Sequence, residues 1–156
     1  MIRRLEDKTI GITGAASGMG LAFAHAFADE GANVLIVDLD AEAAERAAKS
    51  IAAKGGKAVS ARANVTDRQQ TADAIATAVA EFGRIDIWFN NAGLNKPMHF
   101  LEVTEDNWEW ILKVNALGTL IGTQEIAKHF LAQDAPGKII NTASISGRQG
   151  DANTAP

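Results

Sequence analysis

The sequence predicts an α/β domain built on a doubly wound parallel sheet. Three observations carry that prediction. Short β-branched runs alternate with longer, alanine-rich stretches of helical character along the chain. The breaks between them are short and marked by glycine or proline, as right-handed crossovers between parallel strands require. The first strand also runs straight into a glycine-rich turn that opens a helix, which puts a ligand site at the carboxyl edge of such a sheet. Strand order 3-2-1-4-5 is expected.

Taken in order, Thr9 to Thr13 reads as the first strand and Gly18 to Glu30 as the first helix, stopped by Gly31. Val34 to Val37 is a continuous apolar run, as expected of a strand covered on both faces. Ala41 to Lys54 reads as a helix ending at Gly55-Gly56, and Lys57 to Ala63 as the third strand. Thr66-x-x-Gln69 has the form of a capping box and opens a helix that runs to Phe82, with Gly83 behind it. Ile85 to Phe89 is the fourth strand. After a loop from Asn91 to Val103, Thr104 caps one long helix from Glu105 to Leu131. Pro136-Gly137 breaks it, Lys138 to Ala143 is the fifth strand, and Gly147 to Pro156 reads as loop.

Composition narrows the function classes. The 156 residues suit a single domain, and 47% hydrophobic with 22% charged is the profile of a soluble globular fold. A net charge of -4 without a basic patch argues against nucleic acid as a partner. The absence of cysteine excludes disulfides, thiolate metal sites and cysteine nucleophiles. His25, His99 and His129 have no ligand spacing, so no metal is expected, and Trp88, Trp108 and Trp110 read as core or interface residues. No segment approaches the ~20 apolar residues of a membrane span. The amino-terminal stretch is charged and then strand-like, without a signal peptide's apolar core, so a cytoplasmic location is expected. Asn64-Val65-Thr66 has the form of a glycosylation sequon and is read as chance.

The glycine turn, Thr13-Gly14-Ala15-Ala16-Ser17-Gly18-Met19-Gly20, carries the first chemistry. Gly14 permits a tight turn, Gly18 lets backbone approach a pyrophosphate, and Gly20 lets the helix pack close to the sheet. Ser17 adds a hydroxyl, and the helix start, with Met19 in it, offers free N–H groups and a positive dipole. Glycine turns also occur without ligands; the strand before this one and the helix after it favour the phosphate reading. No Gly-Lys-Ser/Thr follows, so it is not a P-loop. Asp38, at the end of the second strand, can accept hydrogen bonds from ribose hydroxyls, and its charge repels a 2′-phosphate. No basic residue stands at Ala15 to Ser17 or at Leu39 to reverse this, so NAD is the expected cofactor. The plainer alternative is a helix-capping aspartate, a role open equally to Asp40.

The spacing Thr-Gly-x-x-x-Gly-x-Gly, followed by Asn90-Asn91-Ala92-Gly93 directly after the fourth strand, resembles the short-chain dehydrogenase/reductase family. The resemblance covers essentially the whole chain, with its motifs in order. It implies a Rossmann domain in which the Asn-Asn-Ala-Gly motif stabilises the sheet and Asn91, Ala92 and Gly93 lie against the adenosine. Asn64-Val65 stands where the family usually has Asp-Val beside the adenine ring, a mild departure. Asn115 matches the asparagine that distorts the family's long helix and holds a water linked to the catalytic lysine; from its neighbours Ile111, Leu112 and Thr119 it is expected to face inward. Ser144, in Asn141-Thr142-Ala143-Ser144, matches the serine that hydrogen-bonds the substrate oxygen, with Ser146 as the nearby alternative.

The family's Tyr-x-x-x-Lys motif follows that serine, whereas this sequence contains no tyrosine and its last residue is Pro156. The resemblance therefore implies that residues 1–156 form an NAD-binding domain whose remaining strands and helices are absent. The activity it implies is NAD-dependent interconversion of a secondary alcohol, such as a polyol or diol, and a ketone, of the kind catalysed by bacterial sorbitol, polyol and acetoin dehydrogenases. A non-catalytic dinucleotide-binding module is the alternative. A methyltransferase using S-adenosylmethionine would share the glycine turn and the acidic residue but leaves Asn90 to Gly93 and Ser144 unexplained. The small residues Gly118 and Gly122, with Ile111, Leu112, Ile121 and Ile126 nearby, are read as an assembly surface, and the resemblance implies a homotetramer.

Overall fold

In the computed structural model, which describes residues 3–149, the strands Thr9–Thr13 (β1), Asn33–Asp38 (β2), Lys57–Arg62 (β3), Ile87–Asn90 (β4) and Lys138–Asn141 (β5) form one parallel sheet. Their order is β3-β2-β1-β4-β5, with every neighbouring pair parallel. This is the doubly wound order expected from the sequence. Because β1 is flanked by β2 on one side and β4 on the other, the chain leaves it in opposite directions, and a crevice opens at the carboxyl ends of β1 and β4.

Alternation along the strands sorts the core into two layers. Ile10, Ile12, Val34, Ile36 and Phe89 pack on one face beneath the helices Gly18–Asp29 (α1) and Ala41–Ala52 (α2). Leu35, Val37 and Trp88 pack on the other with Ala74, Ile75, Ala78 and Ile126. The helix Arg68–Phe82 (α3) supplies the alanines of that second layer. In α2 the buried residues Ala44, Ala47, Ala48 and Ile51 form a stripe at helical spacing, which explains why so alanine-rich a segment docks closely. Trp88 is fully buried because β1 makes room for it: a Cβ on Gly11 would lie 2.6 Å from the Trp88 ring. Burying large apolar side chains contributes about 1.5–3 kcal/mol each.

Four local expectations are corrected. The helix expected from Glu105 to Leu131 is two helices, Glu105–Leu112 (α4) and Gly118–Ala132 (α5), joined by a π-helical turn at Lys113–Leu117. The Gly118 N–H there bonds to the Lys113 carbonyl, five residues back, so the turn is wider than in an α-helix. The cap of α3 is Asp67 rather than Thr66. Asp67 accepts from the Gln70 N–H at 3.1 Å while the Gln70 amide donates back to its other oxygen at 2.9 Å, a box shifted by one residue. Thr66 is unavailable because Asn64 holds its N–H and hydroxyl. The strand expected from Ile85 starts at Ile87, because Asp86 turns its carboxylate back to accept the Thr9 N–H at 2.9 Å and pair with Arg84 and Lys8. The fifth strand ends at Asn141. Ser144 then caps a short 3-10 turn, Ile145–Gly147; residues 150–156 of the expected terminal loop lie outside those described.

The surface expected for assembly is also drawn differently. Gly118, Gly122, Ile111, Ile121 and Ile126 are all buried against the rest of the fold. A Cβ on Gly122 would lie 2.2 Å from the Asn90 oxygen. The exposed apolar side chains of this region are Trp108, Trp110, Leu112, Leu117, Leu120 and Leu131.

Candidate cofactor and active site

Thr13 organises the carboxyl end of the sheet. It is 3% exposed, and its hydroxyl accepts the N–H groups of both Asn91 and Ala92 at 3.0 Å. That ties the end of β1 to the segment leaving β4. The Asn91 side chain completes the tie, donating to the carbonyls of Thr13 at 3.0 Å and Gly14 at 3.2 Å. Turning its NH2 to two carbonyls leaves Asn91 Oδ1 buried without a donor among the described residues. Asn90, 4% exposed, accepts from the Trp88 indole N–H at 2.8 Å and donates to Asn141 at 2.8 Å and Thr123 at 3.2 Å. One amide thus joins β4, β5 and α5.

The glycine turn is a cradle. Gly14 and Gly18 have φ of +63° and +54°, conformations that side chains disfavour. A Cβ on Gly20 would lie 2.2 Å from the Gly14 carbonyl, so only glycine lets α1 start this close to β1. A Cβ on Gly18 would meet nothing within 4 Å, so its backbone faces open space. The N-cap residue Ser17 makes no side-chain capping bond, which leaves the first N–H groups of α1 and the serine hydroxyl available. Uncapped N–H groups at a helix start, facing a cleft, suit a phosphate.

Asp38 is held at both carboxylate oxygens. Oδ2 accepts the Ala16 N–H at 3.0 Å and Oδ1 accepts the Asp40 N–H at 3.2 Å. It is therefore also a brace for the glycine turn, an aspect the sequence did not reveal. The helix-capping role belongs to Asp40, which accepts the Ala43 N–H at 2.9 Å. One strand further out, Asn64 forms a turn: its Oδ1 accepts the N–H of Thr66 at 3.0 Å and its hydroxyl at 2.8 Å. Val65 packs closely against the start of α5, because Gly118 lacks the Cβ that would lie 2.8 Å from Val65 Cγ2.

A cleft of about 610 Å³ runs along this edge of the sheet. Gly14, Ser17, Gly18, Met19, Gly20, Asp38, Asn64, Val65, Asn91, Ala92 and Gly93 all border it. Leu39 and Trp110 border it too; they are 59% and 49% exposed. Leu39 was legible as an apolar residue placed directly after the acidic strand end; no sequence signal marked Trp110.

Asn115 and Ser144 lie beyond the border of the cleft. Asn115 is exposed rather than inward-facing, and its amide is committed to one backbone unit: Leu94 N–H donates to Oδ1 at 2.9 Å, and Nδ2 donates to the Leu94 carbonyl at 2.8 Å. Ser144 is exposed, and its oxygen accepts the Ser146 N–H at 3.2 Å. The Thr142 N–H bonds to the Asn90 carbonyl at 3.1 Å, which keeps the segments leaving β4 and β5 side by side. Among the described residues, no group of three or more His, Asp or Glu could hold a metal, and no helix is long and apolar enough to cross a membrane.

The family model described as short chain dehydrogenase matches residues 8–156. The chain belongs to the short-chain dehydrogenase family. It is 43% identical to a galactitol 2-dehydrogenase of Agrobacterium fabrum, with 96% of this chain and 57% of that protein covered. It is 35% identical to an (S)-acetoin-forming diacetyl reductase of Staphylococcus epidermidis, over 92% of this chain and 56% of the relative. Among solved structures, an NAD+-bound xylitol dehydrogenase superposes with a TM-score of 0.90 at 31% identity, covering 97% of this chain and 58% of that one. The chain spans little more than half the length of these relatives.

Proposed function

We propose that this chain is the cofactor-binding part of an NAD-dependent oxidoreductase that interconverts a secondary alcohol, such as a polyol or diol, and a ketone. The observation that carries the reading is the convergence of the glycine cradle, Asp38 and the Asn91–Gly93 segment on one open cleft. The residues fit the dinucleotide. The free helix start at Ser17 to Gly20 suits the pyrophosphate, and the braced Asp38 carboxylate retains lone pairs for two ribose hydroxyls while repelling a 2′-phosphate. Asn64 and Val65, at the end of β3, stand where the base would reach. NAD-bound xylitol dehydrogenase and the polyol and acetoin relatives support the cofactor and substrate class by likeness.

The bound nicotinamide would supply hydride transfer, and the protein supplies position. Ser144, whose hydroxyl proton is free to point away from Ser146, would donate to the substrate oxygen. Asn115 would hold a relay water at the widened helix turn while its side chain fixes Leu94 beside the Asn91–Gly93 segment. The proton itself would be moved by groups outside this chain, which contains no tyrosine. A soluble, cytoplasmic homo-oligomer is the expected setting, with the exposed leucines of α5 available for assembly.

The test is a titration of the full-length protein with NADH and NADPH, followed by turnover with a polyol panel, for wild type and Ser144→Ala. The reading requires tighter NADH binding and a serine-dependent alcohol oxidation. Binding of NADH without turnover on any alcohol would support the alternative, a non-catalytic dinucleotide-binding module.

A further inference from the structure

Trp88, Asn90 and Asn141 form a line of hydrogen bonds across the carboxyl ends of β4 and β5. The Trp88 indole N–H donates to Asn90 Oδ1 at 2.8 Å, and Asn90 Nδ2 donates to Asn141 Oδ1 at 2.8 Å and to the Thr123 hydroxyl at 3.2 Å. Asn141 and Thr123 could meet either end of the Asn90 amide, because a carboxamide and a hydroxyl each donate and accept. The indole is a donor alone. Trp88 is therefore the partner that decides which way the buried Asn90 amide faces. The fold sets space aside for it. A Cβ on Gly11 would lie 2.6 Å from the six-membered ring of the indole, and a Cβ on Gly122 would lie 3.0 Å from its nitrogen. The backbone of Asn90 holds the same neighbouring segment, since its carbonyl accepts the Thr142 N–H at 3.1 Å, two residues before Ser144. The Asn91–Ala92 wall of the cleft is tied separately, through Thr13 and Gly14.

We infer that Trp88 is a positioning residue for Ser144: its indole N–H fixes the polarity of the Asn90 amide, and that amide holds the exit of β5, and the serine on it, in place against β4. This rests on the catalytic reading of Ser144 proposed above. Without the indole N–H the amide can turn over, which sets its oxygen against Asn141 Oδ1 unless Asn141 turns as well. The side-chain bond from β4 to β5 is then made in two ways or not at all, and the serine segment shifts with it. The cofactor wall keeps its bonds to Thr13 and Gly14. Loss of the indole N–H is thus read in kcat and not in dinucleotide affinity. A carboxylate at position 141 repairs the polarity from the far side, because it only accepts and so turns the Asn90 NH2 back toward itself.

The experiment compares the full-length wild type with Trp88→Phe, with Asn141→Asp, and with Trp88→Phe combined with either Gly11→Ala or Asn141→Asp. It measures NADH dissociation constants, kcat on the alcohol that the wild type oxidises fastest, and melting temperatures. Trp88→Phe is expected to lower kcat about tenfold, the scale of one buried hydrogen bond, with NADH affinity unchanged. Adding Gly11→Ala returns the lost volume, so it raises the melting temperature and leaves kcat low. In the Asn141→Asp background the same Trp88→Phe change should cost about twofold or less, a coupling that packing does not produce. Where Trp88→Phe alone does not fold, the two double variants decide between volume and polarity. A kcat unchanged in Trp88→Phe, restored by Gly11→Ala or not restored by Asn141→Asp overturns the inference and leaves the catalytic reading intact. So does collapse of every Trp88 variant, which would make the indole a packing residue. A wild type that oxidises no alcohol, or one whose Ser144→Ala variant is equally active, overturns the catalytic reading and the inference together.

Discussion

Asn115 holds both backbone polar groups of Leu94, 21 residues away, through the two ends of one amide. The bond pair fixes the segment that follows Gly93 against the π turn, at the point where the helix from Thr104 would otherwise run straight. Replacing Asn115 with Ala frees Leu94. The expected cost is about 1–2 kcal/mol of stability, since two exposed hydrogen bonds are exchanged for water, and dinucleotide affinity falls with it. Asn115→Asp keeps the acceptor for the Leu94 N–H but sets a charge against the Leu94 carbonyl, so it does not rescue. Urea midpoints and NADH titrations of the two variants check this; an unchanged midpoint in Asn115→Ala would show that the clamp contributes nothing.

Gly20 and Gly18 separate packing from approach. Gly20→Ala drives a Cβ into the Gly14 carbonyl and within 2.9 Å of Ala15 Cα, both backbone, so the loop must move. That variant is expected to be poorly folded. Gly18→Ala meets no neighbour and has only its positive φ to bear, a cost of about 1–2 kcal/mol. It should fold and lose NADH affinity, because a methyl group now stands where phosphate would approach. Circular dichroism with ligand titration distinguishes the two, and equal behaviour of the variants would contradict the cradle.

Gly11 and Trp88 are a packing pair. Gly11→Ala places a Cβ 2.6 Å from the indole, an overpacking that costs about 1–3 kcal/mol. The same alanine in a Trp88→Leu background should cost much less. A double-mutant cycle by chemical denaturation measures the difference, and strict additivity would mean that the strand moves instead of the ring.

Asp38 has a structural role, to which the proposed reading adds a cofactor role. Asp38→Ala loses the bonds to Ala16 and Asp40, worth about 1–2 kcal/mol together, and on the proposed reading it is expected to improve NADP binding. Asp38→Asn keeps an acceptor and loses the charge, so it should relax cofactor choice with a smaller loss of stability. A wild-type protein that already prefers NADPH would refute the assignment.

Glu125 links α5 to α3. Its carboxylate, 11% exposed, pairs with Lys128 at 2.8 Å and with Arg68, whose other nitrogen binds Gln124 at 2.8 Å. Lys128, foremost, and Arg68 hold its pKa below the ordinary glutamate value. An acid with a depressed folded-state pKa stabilises the fold above its unfolded value, about 4.3. That stabilisation is lost as pH falls through the folded value. Glu125→Gln should therefore lower the melting temperature near neutrality and flatten its fall below pH 5. A parallel acid limb in the variant would place the sensitivity elsewhere.

What the sequence determined by itself was the frame. Periodicity and glycine breaks were enough for five parallel strands in the right order, because each strand and helix obeys a local rule and parallel crossovers have one hand. The glycine turn and Asp38 were legible because their spacing within a strand-turn-helix unit carries the constraint, whereas Asn90 to Gly93 was legible only through the family resemblance. The tertiary structure alone decided how side chains far apart in sequence share their hydrogen bonds. Asn115 reads as a buried helix residue until Leu94 arrives to occupy it, and Thr66 reads as a helix cap until Asn64 takes its N–H. Gly118 and Gly122 read as a surface stripe, yet Val65 and Asn90 fill the space above them. Local pattern states which groups need partners. Only the packed fold, where each donor and each cavity can be used once, states which partner each one receives.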